Sequence, residues 1–315
     1  MIKVKRPMAT EALRQARMRC ALTSGMLGEY ITEPVFLRAD GTLLTRKNCP
    51  YEGLKGWTDV RAVFSSCGRL AICKADGSAY ITELPGRSLE PVWTPLPPLG
   101  RALQVAFETH GLLALMPDGT LCRGGDLDLS CIIGKWRDNE IVSISAGNMA
   151  AAAVDADGKV AYVGQRGDSL PLAADWEDVV QLHVSNNSVV GIRADGQYLY
   201  TGSNTFGQDH SQEWTDCVQA SYCENIALAL RSDGTVLSTT HLRNKQHPAA
   251  QWTNIASLFS GFMLTLGIRT DGTVVCSDRD GSHYEDELSE IRLFESLETI
   301  EDERKAAGTE REIWI

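Results

Sequence analysis

Residues 176–202 read WEDVVQLHVSNNSVVGIRADGQYLYTG. Trp176 opens the stretch, an Asp-Gly pair follows nineteen positions later, and Thr201-Gly202 closes it. Two apolar runs, VVQLHV and VVGIR, are parted by the polar SNNS, and a third, QYLYTG, follows the Asp-Gly pair. Runs of this length are too short for most helices and match strands. Asp-Gly between two such runs signals a hairpin. Gly takes positive φ without steric cost, and Asp hydrogen-bonds its own backbone.

Residues 214–239 and 252–278 follow the same pattern, so internal repetition organises the chain. The Asp of an Asp-Gly pair stands at 40, 76, 118, 157, 195, 233 and 271, with gaps of 36, 42, 39, 38, 38 and 38. Trp stands at 57, 93, 136, 176, 214 and 252, nineteen residues ahead of its Asp in four of six units. A period near 38 residues with three or four strands per unit defines one blade of a β-propeller. One small blade cannot bury both faces alone, so the blades stack radially, and a Trp in each supplies a large apolar anchor.

Seven hairpins imply an all-β, seven-bladed propeller over residues 30–294, yet the first unit has no Trp. LSEIRLF (288–294) aligns with WTDVRAV (57–63), setting Leu288 against Trp57 and Ile291 against Val60. This predicts that residues 288–294 supply a strand to the first blade. The ring would then be closed by N- and C-terminal strands, with no long open edge. Short helices are expected at both termini: an N-terminal segment within 1–29 and an acidic tail over 295–315. The first is basic and the second acidic, so the two should lie side by side.

The net charge is −11 and no basic patch is visible, which argues against nucleic acid as a partner. No run of 18 apolar residues suggests a membrane span, and the N-terminus lacks an apolar signal core. The nine cysteines are scattered without a Cys-x-x-Cys, as expected for small buried thiols in a cytoplasmic protein. His-Glu-x-x-His and Gly-x-Ser-x-Gly are both missing. Asp278, Asp280 and Glu287 lie in an acidic loop whose spacing does not fit a calcium site. No cofactor or metal is expected.

The segment DVVQLHVSNNSVVGIRADGQYLYTGSNTFGQ (178–208) resembles the regulator-of-chromosome-condensation (RCC1) repeat. Gly202, Asn204, Gly207 and Gln208 match that family's Gly-x-Asn-x-x-Gly-Gln segment, and the Trp-x-Asp opening is most similar to its bacterial branch. The resemblance covers residues 30–295 and implies a seven-bladed propeller. It also implies docking of a partner protein by loops at one mouth of the ring. Segments 203–213, 241–251 and 279–289 share offsets from their Trp and are expected on one face. That face would present Phe206, His210, His247, His283 and Tyr284. The expected role is therefore a monomeric, non-enzymatic protein-interaction module with an unidentified protein partner. The alternatives are a guanine-nucleotide exchange factor for a small GTPase, and an enzyme or ligand-binding propeller with a site at the central channel.

Overall fold

The computed structural model describes residues 10–23, 27–29, 34–45, 49, 52–66, 69–83, 94–95, 97–108, 111–125, 141–147, 150–164, 171–185, 188–204, 207–223, 226–241, 245–260, 264–278, 288 and 291–306. Seven antiparallel sheets of three or four strands follow one another along the chain. The first holds β1 (Leu27–Glu29), β2 (Pro34–Leu37) and β3 (Leu43–Thr45); the second β4 (Val60–Ser66), β5 (Arg69–Lys74), β6 (Ala79–Glu83) and β7 (Thr94–Pro95). The third holds β8 (Gln104–Glu108), β9 (Gly111–Leu115) and β10 (Leu121–Gly125); the fourth β11 (Ile141–Gly147), β12 (Ala150–Asp155) and β13 (Val160–Gly164). The fifth holds β14 (Val179–Val184), β15 (Ser188–Arg193) and β16 (Tyr198–Gly202); the sixth β17 (Cys217–Cys223), β18 (Ile226–Arg231) and β19 (Val236–Ser238). A two-stranded hairpin, β20 (Thr240–His241) and β21 (Lys245–Gln246), precedes the seventh, which holds β22 (Ile255–Ser260), β23 (Leu264–Arg269) and β24 (Val274–Asp278).

Each Asp-Gly pair closes a three-residue turn between the second and third strands of its sheet. In the first, Gly41 N donates to Arg38 O and Arg38 N donates to Thr42 O, both at 3.0 Å. The turn Gly takes φ between +78° and +89° in all seven sheets, which only Gly adopts freely. The preceding Asp bonds two residues onward: Asp40 Oδ1 accepts from Thr42 N at 2.9 Å and from Thr42 Oγ1 at 2.6 Å. Asp76, Asp118, Asp233 and Asp271 repeat the pair of bonds. The hydroxyl bond is the leading cause that holds these five carboxyls below the ordinary range.

The turns also join neighbouring sheets. The first amide of an inner strand donates to the turn Gly carbonyl of the sheet before: Val60 to Gly41, Val179 to Gly158, Cys217 to Gly196 and Ile255 to Gly234, at 2.9–3.0 Å. The residue just before that amide is Asp59, Asp178, Asp216 or Asn254, each left-handed with φ of 56–58°. Asp and Asn tolerate this backbone best among residues with a side chain. Their carbonyls accept from Ala75, Ala194, Ser232 and Thr270 at 2.8–2.9 Å, which explains the Trp-x-Asp opening. Between the second and third sheets the approach is closer: a Cβ on Gly100 would fall 1.6 Å from the Gly77 carbonyl oxygen.

Apolar clusters sit between adjacent sheets, with strand residues such as Phe107, Val154, Ile192 and Leu228 at or near zero exposure. The described tryptophans, Trp57, Trp176, Trp214 and Trp252, are half-buried and cap these clusters instead of filling them. Trp176 lies over Gly191 and Trp252 over Gly267, where a Cβ would meet the indole at 3.1–3.2 Å. Trp93 and Trp136 lie outside the described residues.

The C-terminal segment departs from its predicted register. Ile291 N donates to Leu288 O at 3.0 Å, as Trp176 does to Ala173, Trp214 to Ser211 and Trp252 to Ala249. Ile291 therefore stands at the missing Trp position, and Leu288 matches the buried residue three places earlier. Nor does the segment supply a strand. The three strands of the first sheet all come from residues 27–45, and residues 291–294 make only an isolated bridge, Thr273 to Arg292. Leu293 N donates to Gly272 O at 2.8 Å and Leu293 O accepts from Ala39 N at 3.3 Å. One apolar cluster holds Phe36, Leu70, Leu266 and Ile268 together with Leu288, Leu293, Phe294 and Ile300.

Helix α1 (Glu11–Thr23) packs Leu13 and Ala16 against the sixth and seventh sheets. Its Arg17 is 6% exposed and donates to the Arg193 and Ala194 carbonyls, both at 2.9 Å. Helix α2 (Leu297–Ala306) lies beside α1, as the opposite charges of the termini suggested.

Two outcomes are expected. In a variant with Thr42, Thr120, Thr235 and Thr273 all changed to Val, the Asp carboxyls return toward their ordinary pKa. The wild type loses the stability of these turns as pH falls below about 3.8. The variant loses less over that window, measured by denaturant unfolding at pH 5 and pH 2.5. Gln219→Leu removes two bonds to the buried Leu258 backbone. It should cost about 2 kcal/mol in the same assay at neutral pH.

Candidate functional site

An odd number of strands dictates where the linkers run. β16 leads away from the Asp195–Gly196 turn, while β17 begins beside that turn through the Cys217 to Gly196 bond. Residues 207–216 return along the outer edge of the fifth sheet, and the 3-10 turn Gln208–Glu213 lies against β16 and β18. The turns Glu52–Leu54, Pro97–Arg101, Pro171–Asp175 and Pro248–Gln251 sit likewise against β3, β6, β13 and β19. Among the described residues these five turns lie along the outer edges of their sheets. Among the described residues only the second sheet has a fourth strand, β7, paired at its outer edge.

The motif Gly202-x-Asn204-x-x-Gly207-Gln208 builds this return. Asn204 Oδ1 accepts from Asp209 N at 3.1 Å, and Gly207 is left-handed with φ of 73°. Gln208 and Ser211 point inward and are fully buried. His210 is exposed on the outer side of the same turn. His247 is 5% exposed, and its Nδ1 accepts from Ala249 N at 3.2 Å, so this ring caps the turn Pro248–Gln251. A ring so placed is not offered to a partner. Phe206, His283 and Tyr284 lie outside the described residues.

Several buried titratable groups have structural partners. Between the fifth and sixth sheets, Ser188 Oγ lies 3.0 Å from Tyr200 Oη and donates to Tyr222 Oη at 3.2 Å. The Tyr200 and Tyr222 rings stack at 6.2 Å, and Tyr200 Oη donates to the Ser203 carbonyl. Burial pushes the Cys73 thiol up to about 11 and the Cys217 thiol up to about 12. Neither is a thiolate at neutral pH, which suits the expected inert buried thiols. Among the described residues no three metal-ligating side chains gather, and no helix is long and apolar enough to cross a membrane.

His183 is the titratable residue that the sequence did not single out. It lies on β14 and shares a sheet face with Gln181, whose Oε1 accepts from Ala220 N of the sixth sheet at 2.8 Å. The ring keeps some exposed surface, yet the protein crowded around it pushes its pKa down to about 4. The signal available in sequence was the recurrence of Gln104, Gln181 and Gln219, each fourteen residues before its turn Asp. That recurrence marks an inward, polar side of the inner strands, and His183 falls on it.

Stacked antiparallel sheets joined in sequence in this way define a β-propeller. Solved structures agree. The chain is similar to the CRINKLY WD40 ectodomain of the Arabidopsis thaliana receptor kinase ACR4, with a TM-score of 0.58 at 15% identity over 80% of this chain and 93% of that one. It is similar to Prp20p, the RCC1 protein of Saccharomyces cerevisiae, with a TM-score of 0.53 at 12% identity over 86% and 84%. It is also similar to human WBSCR16, with a TM-score of 0.51 at 13% identity over 82% and 83%. Neither a protein-family model nor a curated protein matches the sequence.

His183 supplies a test of the inner-strand geometry. Its folded pKa lies below the ordinary 6.5, so the unfolded chain binds the proton more readily. Stability should be constant above pH 6.5 and fall as pH drops from 6.5 to 4. The loss is at most about 3 kcal/mol, and smaller in proportion as water reaches the ring. His183→Gln should flatten this slope in unfolding measured across that range.

Proposed function

We propose that the seven sheets are seven blades of one ring, and that the ring is a non-enzymatic module that binds a partner protein along its outer rim. The single observation that carries the binding reading is the rim itself. Buried Gln208 and Ser211 fix a linker turn whose outer side carries His210. A surface already ordered in this way loses little entropy on docking. Prp20p, similar in fold, is described by its binding to Gsp1p and histones. The nucleotide-exchange reading has no observation of its own beyond that shared fold. The proposed module acts as a monomer in the cytoplasm.

Closure is proposed to rest on the C-terminal segment. What supports it is the single apolar cluster shared by the first and last sheets with Leu288, Leu293, Phe294 and Ile300, and the two backbone bonds of Leu293. The segment contributes a corner and a hydrophobic wedge in place of a strand.

Two measurements test these readings. Phe294→Ala should destabilise the whole chain by about 3 kcal/mol in a single transition. A cost near zero, or separate melting of one part, removes the closure reading. For binding, the tagged protein should retain a specific partner from native lysate, and His210→Ala with Phe206→Ala and Tyr284→Ala should weaken that retention at least tenfold. Retention unchanged in all three moves the binding surface off the rim.

A further inference from the structure

From the second sheet to the seventh, side chains tie the inner strands of successive sheets, and each of these ties reaches from the earlier sheet to the later. Arg61 of the second sheet donates to the Gly100 and Ala102 carbonyls, both at 2.9 Å, just ahead of the third. Gln104 accepts from Ile144 N of the fourth sheet at 2.8 Å, and Ser145 accepts from Val184 N of the fifth at 2.8 Å. Gln181 accepts from Ala220 N of the sixth at 2.8 Å. Gln219 takes both backbone groups of Leu258 in the seventh, at 2.7 and 2.8 Å. Inner strands of neighbouring sheets are not paired backbone to backbone. These side chains satisfy strand amides that a sheet ladder would otherwise fill.

The seventh sheet breaks the series. Fourteen residues before Asp271, where the third, fifth and sixth sheets carry Gln, stands Ser257. It is 0% exposed, and its Oγ has no hydrogen-bond partner. Ser257 faces Ile268 across the ladder, so both lie on the sheet face that packs toward the first sheet. A serine side chain is two heavy atoms shorter than that of Gln and cannot span to the next strand. Two places on, where the fourth sheet uses Ser145, the seventh has Phe259, which carries no polar group.

We propose that the junction between the seventh and first sheets is the seam at which this ring opens, made so by the serine at position 257. It is held by apolar packing and by the segment around Leu293, both of which part without breaking an inner-strand tie. Each junction from the second sheet to the seventh loses at least one side-chain hydrogen bond on parting, which costs about tenfold in the opening equilibrium, whereas no such tie joins the first sheet to the second among the described residues. The inference rests on the ring reading above, but the behaviour of a tie between consecutive sheets does not.

The chain carries its own reporters. Cys276 is buried in the cluster at the seam, Cys217 between the fifth and sixth sheets, and Cys73 between the second and third. The reduced full-length protein is treated with a maleimide under native conditions, and labelling at each cysteine is followed by peptide mass spectrometry. Cys276 should react at least tenfold faster than Cys217 and Cys73. Gln181→Ser, which cuts the tie between the fifth and sixth sheets, should accelerate Cys217 about tenfold and leave Cys276 unchanged. Ser257→Gln should slow Cys276 toward the rate of Cys217. Equal wild-type rates at the three cysteines overturn the seam. If Ser257→Gln does not fold, the wild-type rates and Gln181→Ser still decide. Failure of Gln181→Ser to change Cys217 overturns the role of the ties, whereas slow Cys276 with an accelerated Cys217 leaves the ties standing and removes only the seam.

Discussion

The fold depends on one backbone hydrogen bond made repeatedly: the first amide of an inner strand donating to the turn glycine carbonyl of the preceding sheet. Everything else is arranged so that this bond forms. The glycine must be left-handed to present its carbonyl to the next sheet, and the Asp before it must lock the turn. The Asp or Asn ahead of the donating amide must also be left-handed, so that the chain turns sharply into the strand. Three unusual backbone demands thus fall on residue types that meet them at little cost. The spacing between those residue types is the repeat.

That is why the architecture was legible from the sequence. Asp-Gly pairs at 40 through 271 placed every turn, and three Trp-x-Asp openings and one Trp-x-Asn placed the starts of four inner strands. The register at the C-terminus was misread because Ile291 carries no indole to mark it. A match of letters favoured Leu288, whereas the hydrogen bond from Ile291 N to Leu288 O decides the matter. The strand expected from residues 288–294 had no place to go, since Leu27–Glu29 already fill the inner position.

The candidate site was less legible for a different reason. Offsets from Trp pointed to linkers that in two cases carry a short turn, Gln208–Glu213 and Pro248–Gln251, but they did not say which way the chain runs there. With three strands instead of four it returns along an edge, which spreads the equivalent segments around a rim. Composition likewise could not separate His210 from His247, two polar rings at nearly the same offset. One is exposed, and the other has turned inward to cap Ala249 N. His183 was passed over because a titratable residue within a strand gives no sign of its direction until its neighbours on the same face are read together.

The forward direction of the inner-strand ties has a consequence for biosynthesis. A polypeptide leaving the ribosome presents its amino end first. From the third sheet onward, as each new sheet emerges, the Arg, Gln or Ser that will hold it is already in place on the sheet before. Assembly of this kind proceeds stepwise with the growing chain and needs no residue yet to be made, until the very last contact. Only there must the last segment find the first sheet, made long before, and there apolar packing and the two backbone bonds of Leu293 stand in place of a waiting side chain.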